Sequence, residues 1–199
     1  MSSPVVVALA GPNGAGKSTT GPPLLKEALG VTQLVNADLI AEGLAAFDPA
    51  GAALPAGKIM LGRIKALANG RASFAFETTL AARSYVRWIL KLVEAGYQFH
   101  IVFLWLPNPE FALVRVRDRV RRGGHSVPEG TVRRRYHAGL RNLFSLYQPV
   151  ADTWRILDNS RTPPASLVAA GRGREVRVVE DAATWTRLVA RYGGEANAD

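Results

Sequence analysis

The run Gly11-Pro12-Asn13-Gly14-Ala15-Gly16-Lys17-Ser18 is a complete G-x-x-x-x-G-K-[ST] pattern. Glycines let a backbone turn with its N–H groups facing inward, and a helix that starts at the end of the loop adds its positive pole. A lysine here reaches the β- and γ-phosphates of a nucleotide, and the serine hydroxyl suits Mg²⁺. Gly11, Asn13, Gly14, Ala15, Gly16, Lys17, Ser18 and Thr19 are therefore the expected nucleotide-binding set, with ATP and Mg²⁺ the expected ligands.

Three further places carry groups for the other half of a reaction. Asp38 lies 21 residues beyond Lys17. A carboxylate there suits a base for a substrate hydroxyl, an outer-shell ligand of Mg²⁺, or the N-cap of a following helix. Glu77-Thr78-Thr79 joins a carboxylate to two hydroxyls, a set that can hold a polar substrate or cap a helix. Asp158-Asn159-Ser160-Arg161 reads as a turn placing Asn159 near the adenine base. His125 reads as polar surface, and three scattered histidines make no metal site.

Positive charge is concentrated rather than spread. The chain carries +9, and the stretch from Glu110 to Arg141 holds nine arginines against three acids. That density calls for an anionic partner such as nucleotide phosphates, a phosphorylated substrate or nucleic acid. On a helix over 110–122, Leu113, Val116 and Val120 share one face while Arg115, Arg119 and Arg122 share the other. Gly123-Gly124 then suggests a hinge, and a second cluster follows at 133–135. This is the pattern of a mobile basic lid over 110–147. The alternative is a non-catalytic, nucleotide-dependent nucleic-acid-binding module, but no aromatic residues alternate with these arginines in the manner of an RNA-binding surface, so a nucleic-acid partner is disfavoured.

The elements that must position these groups alternate in type. Strands are expected at 5–10, 33–36, 73–76, 99–106 and 154–157. Helices are expected at 19–29, 38–47, 58–69, 84–95, 110–122 and 131–147, with a Gly/Ala/Pro loop at 48–55. Pro22-Pro23 should distort the first helix. A hairpin of 166–170 with 175–179 and a helix over 182–192 close the chain, all in one domain spanning 1–199. The expected fold is α/β: a P-loop kinase-like three-layer sandwich with a mainly parallel sheet of five strands or slightly more and an arginine-rich helical lid. Ligands of such sheets gather at the carboxyl ends of the strands, where Gly11, Asp38, Glu77 and Asp158 fall.

Composition excludes several classes. There are no cysteines, hence no disulfides and no thiolate metal site, which accords with a reducing cytoplasm. No apolar run nears the roughly 18 residues of a membrane span. The N-terminus has no basic stretch ahead of its apolar strand, so no signal peptide is expected and the location should be cytoplasmic. No strand ends in the hydrophobic-Asp-Glu pattern of a motor or AAA-type ATPase, and no Asn-Lys-x-Asp guanine reader is present. What remains is a small-molecule kinase, in which positioning and charge neutralisation do most of the work.

Gly11–Thr19, Asn36-Ala37-Asp38, Phe76-Glu77-Thr78-Thr79, Arg119 through Gly123-Gly124-His125 with Val127-Pro128, Arg133–Tyr136 and Asp158-Asn159-Ser160 together resemble the zeta toxin family. The similarity runs from about residue 5 to 165. The resemblance implies ATP-dependent phosphorylation of a sugar hydroxyl of UDP-N-acetylglucosamine, with an antitoxin as protein partner. It also implies Lys17 on the phosphates, Asp38 as base, Glu77 and Thr78 on the substrate, and Arg119 and Arg134 on the transferring phosphoryl. The additional segments that better-known members use around the sugar are absent, which leaves open a kinase for another sugar, a nucleoside or a polynucleotide end.

Overall fold

The computed structural model describes residues 3–46, 51–124, 126–161 and 164–194; Phe47, residues 48–50 of the expected 48–55 loop and His125 lie outside them. Strand β1 (Val5–Ala10) is followed by helix α1 (Lys17–Leu29), β2 (Leu34–Val35), α2 (Ala37–Leu44) and α3 (Ala53–Asn69). Next come β3 (Phe74–Thr78), α4 (Ser84–Glu94), β4 (Gln98–Trp105), α5 (Pro109–Arg121) and α6 (Glu129–Asn142). Strands β5 (Thr153–Asp158), β6 (Ser166–Arg172) and β7 (Glu175–Val179) precede α7 (Ala182–Tyr192). The strands form one sheet in the order β2-β3-β1-β4-β5-β6-β7. The first five run parallel, and β6 and β7 extend the sheet as an antiparallel pair.

β1 lies at the centre. Val6 to Ala10 have no exposed surface, as an apolar strand covered on both faces requires. β4 contributes Phe99, Ile101 and Phe103 to the same core. The tail hairpin and the closing helix form where the sequence places them, with β6 running two residues further to Arg172.

Several boundaries differ for physical reasons. β3 continues through Glu77 and Thr78 because Leu9 and Ala10 of β1 stay in register with them, so pairing overrides their polarity. α3 begins at Ala53, five residues before the expected start, because Pro55 falls in its first turn, where proline is tolerated. α1 begins at Lys17 and runs unbroken through Pro22 and Pro23; both rings are exposed. The single helix expected over 131–147 is α6 followed by a π turn (Leu143–Tyr147) and a 3₁₀ turn (Gln148–Val150). Its apolar stripe Val132, Tyr136, Leu140, Leu143 and Tyr147 is nevertheless buried throughout.

The turn at Gly123-Gly124 closes α5 with a hydrogen-bonded cap. Gly123 N–H donates to the Val120 carbonyl at 3.0 Å and Gly124 N–H to the Arg119 carbonyl at 3.0 Å. With Gly123 at φ +91°, these two bonds make a Schellman cap that satisfies the last carbonyls of α5. The helix pair is also packed down. Leu113 and Val116 of α5 are buried, although Val120 is partly exposed. The Tyr136 hydroxyl of α6 donates to the Leu106 carbonyl at 2.7 Å.

Candidate active site

The phosphate loop is shaped before any ligand is considered. Gly14 and Gly16 lie at φ +79° and +78°, conformations that glycine adopts without penalty. α1 starts immediately after Gly16, so its first N–H groups face the loop. A side chain at Gly14 would stand 2.8 Å from the Ala112 carbonyl oxygen and 2.9 Å from Arg115 Cβ. The basic helix α5 therefore rests directly on the tip of the loop.

Lys17 is buried, and its Nζ donates to the carbonyls of Gly11 at 2.9 Å and Pro12 at 3.0 Å. Burial pulls its ammonium below the ordinary lysine range, opposed by the charges of Glu77 and Asp38 and assisted by Arg119. Ser18 Oγ donates to Glu77 Oε2 at 2.9 Å, and Lys17 Nζ lies 3.7 Å from Glu77 Oε1. Asn13 is 7% exposed, and its buried Oδ1 has no hydrogen-bond partner among the described residues. Loop N–H groups facing inward, a lysine held at the loop's mouth and a serine–carboxylate pair beside it fit a nucleotide with Mg²⁺.

Asn36 settles the question of the cap. Its Oδ1 accepts from the N–H groups of Asp38 at 2.7 Å and Leu39 at 3.4 Å, making Asn36 the N-cap of α2. Its Nδ2 donates to Glu77 Oε2 at 2.7 Å and to Ser18 Oγ at 3.2 Å. Asp38 is thus released from capping. Its carboxylate faces Arg119, with Nη1 3.9 Å from Oδ2.

Glu77 sits within reach of Ser18, Lys17 and Asn36, on the nucleotide side of the cleft. Thr78 Oγ1 accepts the Leu80 N–H at 3.0 Å, which shapes the turn after β3 and leaves the hydroxyl proton available. That turn is strained, with the buried Leu80 at φ +56°. Asn142 of α6 grips it by donating to the carbonyls of Leu80 at 2.7 Å and Ala81 at 3.1 Å.

Asn159 is 4% exposed and donates its amide to the Ala15 carbonyl at 2.8 Å and to Thr20 Oγ1 at 3.3 Å. It braces the phosphate loop from behind. Arg115 closes the same corner by donating to the carbonyls of Asn159 at 3.1 Å and Ser160 at 3.2 Å. The other arginines divide by partner. Arg117 bonds Glu129, Arg133 bonds Glu110, and Arg121 lies 3.3 Å from Asp118, all on the surface. Those bonds hold Glu110 and Glu129 below the usual carboxylate range. Arg134 is exposed on α6, and no described contact joins it to the phosphate loop or Asp38.

A cavity of about 410 Å³ follows the outer edge of β2, with Gln33, Leu39, Ile40 and Arg63 among its walls. It meets this site at Asn36, while neither Asp38 nor Glu77 lines it. Among the described residues no helix is long and apolar enough to cross a membrane, and no cluster of histidine and carboxylate groups forms a metal site by itself.

Residues 6–141 match the AAA domain family, over more than half of the chain. The chain belongs to that family. The matched segment takes in the loop, Asp38, Glu77 and both arginine-rich helices. The missing Asp-Glu pair, expected to set the chain apart from AAA-type proteins, does not exclude it from the AAA domain family: the carboxylate beside the loop is the single Glu77 of Phe76-Glu77-Thr78. An uncharacterized protein of Haemophilus influenzae is 29% identical over 126 residues, 63% of this chain and 88% of the relative.

Among solved structures, a chain of the AvrRxo1-ORF1:-ORF2 complex with ATP superposes with a TM-score of 0.73 at 19% identity. The alignment covers 98% of this chain and 66% of that one, so the present chain spans just under two thirds of its length. A structure from the PezAT chromosomal toxin-antitoxin system of Streptococcus pneumoniae gives a TM-score of 0.66 at 16% identity, covering 98% of this chain and 80% of that one. A chain of the Pnkp1/Rnl/Hen1 RNA repair complex gives 0.54 at 18%, covering 69% and 44%. At these identities the likeness is one of fold, the P-loop kinase-like α/β fold expected from the sequence.

Sequence reasoning assigned no separate role to Asn36, Arg115 or Asn142. Asn36 had a signal, since Asn and Asp are equally good caps and both stand in Asn-Ala-Asp. Arg115 and Asn142 act on carbonyls far away in sequence, which spacing does not reveal.

Proposed function

We propose that the chain is an ATP-dependent kinase that transfers the γ-phosphoryl group to a hydroxyl of a small molecule, with UDP-N-acetylglucosamine as the leading acceptor. The observation that carries the reading is the pairing of two carboxylates with separate tasks. Glu77 is engaged with Lys17 and Ser18, while Asp38, released by the Asn36 cap, faces Arg119.

In this reading the loop N–H groups and Lys17 hold the β- and γ-phosphates. Mg²⁺, when bound, neutralises charge between those phosphates, and Ser18 Oγ with the Glu77 carboxylate would hold it. We therefore assign Glu77 to the metal and phosphate side and leave the acceptor to Asp38 and Thr78. Asp38 takes the proton of the acceptor hydroxyl as that oxygen bonds to phosphorus and the bond from phosphorus to ADP breaks. Arg119 bears on the charge of the transferring group. Arg134 would reach it only by inward movement of α6. Asn159 and Thr19 serve the nucleotide through the loop and the first turn of α1.

ATP as donor is supported by the ATP in the AvrRxo1 complex, and the nucleotide sugar by the residue blocks shared with zeta toxins. The PezAT likeness supports an antitoxin-like protein partner. The likeness to the RNA repair complex favours a second acceptor, a polynucleotide 5′-hydroxyl. Incubation with ATP·Mg²⁺ and a panel of nucleotide sugars, nucleosides and 5′-hydroxyl oligonucleotides, read by mass spectrometry, tests the proposal. One phosphate should appear on a nucleotide sugar. Nucleotide binding with no product on any hydroxyl would remove the kinase reading.

A further inference from the structure

Gly124 is a glycine for a reason that its backbone does not supply. Its neighbour Gly123 lies at φ +91°, and a Cβ there would meet nothing within 4 Å. Gly124 is the reverse case: its φ lies outside the left-handed range, yet a Cβ would stand 2.6 Å from Arg119 Cγ and 3.2 Å from both Arg119 Cδ and the Arg119 carbonyl oxygen. Any side chain at 124 must displace the aliphatic stem of Arg119, because the carbonyl behind it is fixed by the Gly124 N–H bond of the helix cap.

Arg119 is the arginine whose position matters most. Among the described contacts of the basic helices, Arg117, Arg121 and Arg133 meet surface acids, and Arg115 meets main-chain carbonyls. Arg119 alone among these reaches a carboxylate of the cleft, Asp38. Its charge also acts on Lys17, together with those of Asp38 and Glu77. One α5 side chain therefore faces Asp38 and lies near enough for its positive charge to bear on the phosphate lysine.

We propose that Gly124 is a positioning residue, whose missing side chain seats the Arg119 stem and aims its guanidinium at Asp38 and the transferring phosphoryl. The functional part of this inference rests on the kinase reading; the geometric part does not. The cap and the seat are divided between the two glycines, Gly123 serving the backbone turn and Gly124 the arginine.

Four variants test it: Gly124→Ala, Arg119→Ala, the two combined, and Gly123→Ala. Arg119→Ala should lower kcat by about 10²-fold or more, as loss of a charge-stabilising donor does. Gly124→Ala should lower kcat by on the order of 10-fold or more through misplacement, with ATP affinity within about 3-fold of the parent. The double variant should match Arg119→Ala in kcat, because the seat has no value once its occupant is gone. It should also regain the melting temperature lost in Gly124→Ala, since truncation removes the atoms in collision. Gly123→Ala should melt lower while keeping kcat. A crystal structure of Gly124→Ala should show the Arg119 guanidinium displaced from Asp38. An unmoved guanidinium, additive losses in the double variant, or unrecovered stability would each overturn the inference. Should the parent transfer no phosphate to any acceptor, the kinase reading fails by itself, and the displacement of Arg119 and the recovery of stability still decide whether Gly124 is its seat.

Discussion

Glu77 accepts from Asn36 and Ser18 and lies 3.7 Å from a buried ammonium. Asn36 donates to that carboxylate as well as capping α2, so it carries more than a helix cap. Removing its side chain leaves the N–H groups of Asp38 and Leu39 unpaired and takes one donor from Glu77. Asn36→Ala should cost about 1–2 kcal/mol of stability, the usual range for a lost cap. Denaturant unfolding measures this, and a titration of activity against Mg²⁺ should show a higher requirement in the variant. Unchanged stability and an unchanged Mg²⁺ requirement would mean that neither bond matters. At this scale the sequence was informative about identities and silent about pairings. Lys17, Ser18, Asp38 and Glu77 could be picked out by residue type and place. That Glu77 lies with Ser18, and that Asn36 frees Asp38 from capping, depends on β2 and β3 standing side by side.

The elements hold this arrangement through close contacts at their ends. Gly139 of α6 packs against the end of β3 so closely that a Cβ would stand 2.2 Å from the Thr79 carbonyl oxygen. That contact, the Asn142 amide and the bond from Tyr147 to the Ala82 carbonyl fix the strained turn at Leu80. Gly139→Ala should destabilise the protein by about 1–3 kcal/mol, since a packed carbonyl cannot retreat without moving the turn. Its loss of activity should appear mainly as a raised KM for the acceptor, because Thr78 and Thr79 move while the phosphate loop stays. Steady-state kinetics against each substrate separates the two. An effect confined to ATP would contradict this assignment. Periodicity foresaw the buried stripe of α6 but not the π turn within it, because tertiary hydrogen bonds leave no trace in local spacing. The Gly123-Gly124 pair shows the same limit: its composition marks a helix end, and only the structure shows which carbonyls the cap satisfies.

Across the whole molecule, a parallel sheet brings the ends of β1, β2 and β3 together, so that residues spread from Gly11 to Thr78 share one cleft. α5 closes it from above, resting on Gly14. The alternation of strands and helices made this architecture legible, and the tail hairpin was legible from its turn residues. The strand order was not, since it depends on which apolar strand is buried on both sides. Nor could spacing divide the nine arginines. Three meet acids on the surface, one braces Asn159 and Ser160, and Arg119 faces Asp38. The arginines of the expected basic lid divide into different tasks. The central claim is that Asp38 is the base of a phosphoryl-transfer cleft whose donor side is complete without it. Comparing the parent with Asp38→Asn, with ATP binding measured by calorimetry and phosphate transfer by mass spectrometry, tests it most directly. Binding should stay within about 3-fold while transfer falls by about 10²–10⁴-fold. Full transfer by Asp38→Asn, or a loss of ATP binding that accounts for the loss of transfer, would contradict it.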